Sequence, residues 1–155
     1  MAGMRFTVRS ARDDDRSMMV LVAEETLHPL AAGAGHPERY HAEELLEMLG
    51  RADVFVAEAE REMAGFLAVE PEGDGLAVRC VCVSPAFEAR GVADLLVDWA
   101  EGLAIDRRLN CLTAYVPAGD HPSLHLYQGH DFLPATATVR PGMVLLQKSL
   151  PTRPD

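Results

Sequence analysis

Polar and apolar positions alternate in some stretches of this chain and recur at helical spacing in others, and the changes of rhythm mark its elements. Residues 5–10 alternate as a half-buried strand does, and residues 11–15 then supply carboxylates that can cap a helix running to about Thr26. Pro29, Gly33 and Gly35 predict a loop over residues 28–36. Pro37 and Glu38 open a second helix, whose apolar positions include Leu45, Leu46 and Leu49 and which Gly50 can end. Residues 54–58 and 63–70 read as the strands of an antiparallel hairpin joined by a polar turn at 60–62. Beyond a turn-rich loop at 71–75, residues 76–83 are almost continuously apolar, the pattern of a strand buried on both faces at the centre of a sheet.

Residues 91–107 return to helical spacing, with Val92, Leu95, Leu96, Trp99 and Leu103 on one stripe and Asp94, Asp98, Glu101 and Asp106 elsewhere. A strand over 109–116 follows. Asp120, His121 and Pro122 then start a short helix that carries Tyr127 before Gly129. Residues 132–139 and 143–150 complete the chain as two strands paired through a turn at 140–142. The order is strand, two helices, three strands, helix, strand, helix, two strands. It predicts a mixed α/β fold with helices packed on a sheet, and one strand-helix-strand unit, 76–83 to 109–116, that pairs in parallel. A single domain over residues 1–150 takes in every element and leaves 151–155 as a loose tail.

Composition adds limits. With 155 residues, a hydrophobic fraction of 48% and a charged fraction of 25%, the chain can bury an ordinary core and is neither disordered nor fibrous. No apolar stretch approaches the roughly 20 residues that cross a bilayer, and the N-terminus lacks a basic region followed by an apolar run. A cytoplasmic protein without a membrane partner is therefore expected. The net charge is -10 and Lys148 is the only lysine, which argues against nucleic acid as a partner because no concentrated basic surface is available to displace counterions. An acidic field suits a cationic acceptor such as an amine, and plain solubility explains the same balance. Cys80, Cys82 and Cys111 are odd in number, lie in strand-like apolar runs and are read as free thiols; Cys80 and Cys82 are too close in sequence for a zinc knuckle. His121 and His125 share a helix face, but two histidines without a third ligand do not make a metal site, and none is expected.

The densest chemistry lies where the buried strand leaves the sheet. Val81, Cys82 and Val83 end it, Ser84-Pro85 turns the chain, and Glu88, Ala89, Arg90, Gly91, Val92, Ala93 and Asp94 lead into the next helix. The first turn of a helix leaves N–H groups unpaired, and small residues before it let a ligand reach the backbone, so the arrangement is an anion site in principle. A glycine before a helix also serves simply to make a tight turn.

The segment resembles the acetyl-CoA motif of GNAT acyltransferases. In that motif valine, any residue and proline precede a Gln/Arg-x-x-Gly-x-Gly/Ala loop and a paired-leucine helix. Val83-Ser84-Pro85, Glu88 to Ala93 and Leu95-Leu96 occupy those places. A second similarity lies downstream, where Asp120, Ser123, Leu126, Tyr127 and Phe132 follow the family's Asn, Ala or Ser, Leu-Tyr-x-x-x-Gly-Phe. The resemblance implies a GNAT-like fold with a central, mostly antiparallel, twisted sheet of about six to seven strands, a splayed parallel pair and about four flanking helices.

It also implies a function: transfer of an acetyl or short acyl group from acetyl-CoA, as cosubstrate, to a primary amine of a small molecule or peptide. The backbone of Val81, Cys82 and Val83 would hold the pantetheine arm and polarise the thioester, residues 88–94 with Asp120 and Ser123 would complete the cofactor site, and Tyr127 would protonate the leaving thiolate. Glu24, Glu25, His28 and His36 lie where the family's acceptor cleft forms and are candidates for the base, each with a solvated-surface reading beside it. Many members are dimers. Three departures stand out: Glu88 in place of Gln or Arg, Asp120 in place of Asn, and Asp131 in place of the glycine before Phe132. They leave open a catalytically silent domain that binds CoA esters or a protein partner, and an unrelated mixed α/β protein whose loop only looks similar.

Overall fold

The computed structural model describes residues 5–33, 42–135 and 141–151. In chain order these form β1 (Thr7–Ser10), α1 (Arg16–Gly33), α2 (Ala42–Arg51), β2 (Asp53–Ala59), β3 (Glu62–Glu72), β4 (Gly75–Val83), α3 (Val92–Asp106), β5 (Cys111–Pro117), α4 (His121–Gly129), β6 (Leu133–Pro134) and β7 (Met143–Ser149). The strands make one sheet in the order β1-β2-β3-β4-β5-β7-β6, in which β4 and β5 pair in parallel and all other neighbours are antiparallel. The expected mixed fold, sheet and parallel pair are thus present.

The sheet is buried on both sides at its centre. Along β3, Phe66 and Ala68 face α1 and α2 together with Met19, Val22, Leu45 and Leu49, while Leu67 and Val69 face α3 with Leu96, Val97 and Ala100. Phe66 and Leu67 are fully buried, and each contributes about 1.5–3 kcal/mol by leaving water. The β2–β3 hairpin turns through Glu60 and Arg61 at φ 52° and 69°, consecutive left-handed angles that match the twist of the strands they join.

Several expectations need correction. Helix α1 does not stop near Thr26; it runs on to Gly33 and absorbs residues 28–33 of the expected loop. Pro29 removes one helical donor, but Leu30, Ala31 and Ala32 are strong helix formers that carry the chain past it. Residues 34–41, where the second helix was expected to begin, lie outside the described residues. In α3 the buried stripe is Val92, Leu96, Val97, Ala100 and Ala104. Trp99 stays 37% exposed at the margin, its ring 5.9 Å from that of Phe55. The large side chains misdirect the reading because alanine is what allows a helix to sit close on a sheet. Strand β6 covers only Leu133–Pro134 of the expected 132–139, and residues 136–140 lie outside the described set, as does the tail beyond Pro151. No helix among the described residues is long and apolar enough to cross a membrane.

Candidate active site

β4 and β5 pair only from Gly75↔Cys111 to Val78↔Ala114, although both strands continue. The cause lies on the other edge of β4. Against β3 its register runs Ala68↔Cys80 and then Val69↔Val78, so Arg79 is an extra residue, a bulge that bends the strand away from β5. Beyond it the sheet is open between β4 and β5. The Ser84 N–H donates to the Ala64 carbonyl of β3 at 2.8 Å. Because N–H groups point alternately to the two edges of a strand, those of Val83 and Val81 point into the gap that β5 has vacated. Cys82 instead turns its backbone to β3 and its thiol toward α1.

Beyond β4 the chain makes a 3-10 turn at Pro85–Phe87 and enters the loop before α3. Ala89 and Gly91 take φ 61° and 81°. A left-handed alanine costs about 1–2 kcal/mol, the kind of strain that clusters at ligand sites. A Cβ on Gly91 would meet nothing within 4 Å, so glycine is required there for its backbone angle and not for space. No side chain caps α3 at Gly91, and its first-turn amides face a cleft of about 240 Å³ lined by Val83, Phe87, Glu88, Ala89, Gly91, Val92, Ala93 and Asp94. Such a helix start is a cradle for phosphate. The acidic side chains do not plug it: Glu88 is exposed at the rim, and Asp94 is held by His130, whose Nε2 lies 2.8 Å from its Oδ1. Arg90 is exposed.

α4 closes the gap from the far side. Asp120 caps it, its carboxylate accepting the Ser123 N–H at 3.0 Å, and is the one charged side chain buried among the described residues. Tyr127 is buried in the α3-side core with its ring 5.0 Å from Phe132. It lines a narrow cleft of about 70 Å³ between the splayed strands with Val78, Arg79, Cys80, Val81 and Tyr115, among others. Burial pushes the Tyr127 phenol well above the usual range, and Cys80, Cys82 and Asp120 nearby push it the same way. The phenol is therefore a neutral donor at any physiological pH. Asp131 takes φ 69°, the left-handed angle its glycine-like place in the motif implies.

The structure places Val83, Glu88, Ala89, Gly91, Val92, Ala93 and Asp94 around the cleft at the start of α3, and Val81, Asp120, Ser123 and Tyr127 around a second cleft between the splayed strands, with the end of β4 running between the two. Glu24 and Glu25 are exposed on α1, His28 belongs to that helix, and His36 lies outside the described residues. His121 and His125 are both exposed on α4. Sequence reasoning missed a polar group at the mouth of the gap. Tyr115 donates to Glu72 at 2.6 Å, and Arg79 lies 3.5 Å from both Glu70 and Glu72. The Glu72 hydrogen bond, then burial, raises the Tyr115 phenol. Arg79 is the only charge in the apolar run of 76–83, the one trace of this group in the sequence.

A family profile described as "Acetyltransferase (GNAT) family" matches residues 12–132. No curated protein matches the chain by sequence. Among solved structures, PaiA N-acetyltransferase from Thermoplasma acidophilum in complex with coenzyme A is similar with a TM-score of 0.80 at 17% identity, covering 95% of this chain and 100% of its own. The ribosomal-protein-S18-alanine N-acetyltransferase from Escherichia coli has a TM-score of 0.76 at 16% identity over 97% of both chains. An IAA acetyltransferase from Bacillus cereus has a TM-score of 0.72 at 13% identity, covering 94% of this chain and 100% of its own. At these identities the likeness speaks for the fold.

Proposed function

Since the chain belongs to the GNAT acetyltransferase family, we propose that it transfers an acetyl or short acyl group from acetyl-CoA to the primary amine of a small molecule or peptide. The observation that carries this reading is that the end of β4, unpaired with β5 beyond Val78, runs from the cleft that Tyr127 lines to the cleft at the uncapped start of α3. The amides of residues 91–94, which no side chain caps, would take the diphosphate. From there the outward-facing N–H and C=O groups of Val83 and Val81 can pair a pantetheine arm as β5 would have done.

Each residue then has a chemical task. An N–H aimed at the thioester oxygen stabilises the charge that grows there when an amine attacks, an effect of about 3–4 kcal/mol per well-placed donor. Tyr127 offers its proton to the leaving sulfur. As a weakened acid it acts chiefly by hydrogen bonding, and the same apolar surroundings raise the basicity of the thiolate it meets.

The test is thiol release from acetyl-CoA over a panel of amines, with binding followed separately by the rise in melting temperature, since a ligand of the folded state stabilises it by mass action. Turnover with one amine class supports the proposal. Glu88, a carboxylate on the rim of the phosphate cradle, favours a second reading, a domain that binds CoA esters without turnover. Binding with no turnover on any amine would select it, and no binding at all would sink both.

A further inference from the structure

We infer that His130 is a positioning residue that keeps the carboxylate of Asp94 off the diphosphate cradle; this rests on the proposed CoA site. Asp94 is the third residue of α3, the place from which a carboxylate reaches back to the free N–H at the helix start. Left alone it would compete with a phosphate for those donors and repel it. In the structure its carboxylate is paired with His130 at the end of α4: Nε2 lies 2.8 Å from Asp94 Oδ1, and Nδ1 lies 3.4 Å from Asp98 Oδ1 one turn further along α3.

The imidazole is well placed to hold them. Its side chain is only 12% exposed, whereas both carboxylates are mostly in water, so the histidine is the fixed partner and the aspartates are the ones oriented. Its backbone is fixed as well, since the His130 N–H donates to the Tyr127 carbonyl at 3.0 Å, and the Phe132 N–H donates to the same oxygen at 3.1 Å. One residue thus ties the helix end that carries the phenol to the helix start that carries the phosphate cradle. No assigned role in the chemistry uses it.

The inference is tested by calorimetric titration of CoA into the full chain, in the wild type, His130→Ala, Asp94→Asn and the double variant. Loss of His130 should weaken CoA binding by about fivefold, the upper range for one charge at a helix terminus. Adding Asp94→Asn to His130→Ala should restore the wild-type affinity, because the carboxylate that interferes is gone. A purely structural tie predicts the opposite, a double variant as weak as His130→Ala, and that result overturns the inference, as does wild-type affinity in His130→Ala. Asp94→Asn alone keeps the histidine and guards against a misfolded His130 variant; it should bind CoA at least as tightly as wild type, and weaker binding also overturns the inference. A wild-type chain that takes up no CoA refutes the CoA site itself, a failure distinct from the others.

Discussion

The two ends of the groove are built from different materials. At the outer end, before α3, the loop is exposed, its cleft is about 240 Å³, and the proposed ligand would meet main chain set by the left-handed angles of Ala89 and Gly91. At the inner end a second, smaller cleft of about 70 Å³ is lined by buried side chains, and Tyr127 brings the phenol among them. Backbone donors survive changes of side chain, so Glu88 can stand where the family has Gln or Arg without dismantling the cradle. A buried phenol has no substitute. If the proposed reading holds, binding is distributed and conformational, whereas chemistry hangs on a single group.

The largest expected effect separates the two ends. Tyr127→Phe keeps the ring packed on Phe132 and removes only the donor, so kcat should fall by about 10²-fold while CoA affinity stays put. Equal loss in both would mean that the phenol serves binding and that the contrast is false. Next in size is Gly91→Val. A β-branched residue at φ 81° must move the loop, and about 1.4 kcal/mol of lost cradle geometry gives tenfold weaker CoA binding. Saturating kcat should be nearly unchanged. Because a Cβ at this position meets nothing, the loss would trace to backbone angle and not to a clash.

The burial that makes the inner end special also has a pH signature. The phenol is raised in the folded chain above its ordinary value of about 10, so the folded state holds that proton more tightly than the unfolded state does. Its contribution to stability is complete below pH 10, and it is lost as the pH climbs from there toward the raised folded value. Urea midpoints taken from pH 9 to 11 should therefore fall less steeply in Tyr127→Phe than in wild type. Parallel slopes would mean that the phenol is wetter than the structure has it.

Most of the outer end was legible in the sequence, because a strand exit, a glycine and an apolar helix are consecutive along the chain. The inner end was legible only in part. Tyr127 could be placed through the likeness of Asp120, Ser123, Leu126, Tyr127 and Phe132 to the family's second motif, but its burial depends on α4 packing into a gap that a bulge at Arg79 creates, and that gap needs the registers of three strands. His130 left no local signal at all. Asp94 and Asp98 fall one turn apart on a helix face, a pattern that usually means a solvated surface, and their partner arrives from another helix. The overrun of α1 past Pro29 shows the reverse error, local punctuation outweighed by the helix formers beyond it.

The smallest effect concerns the residue that starts α4 and lines the inner cleft. Asp120 is both a helix cap and a negative charge near the phenol. Asparagine caps as well as aspartate, so Asp120→Asn should leave stability unchanged, whereas Asp120→Ala should lower it by about 1 kcal/mol, read from the urea midpoint at constant slope. The asparagine variant also removes one cause of the raised phenol. Its proton becomes slightly easier to give to a thiolate, so the rate should rise a little while the fold is unchanged. A rate that falls in Asp120→Asn with stability intact would show that the charge itself is used at the inner end, and the division between a conformational outer site and a single-group inner one would need a second member.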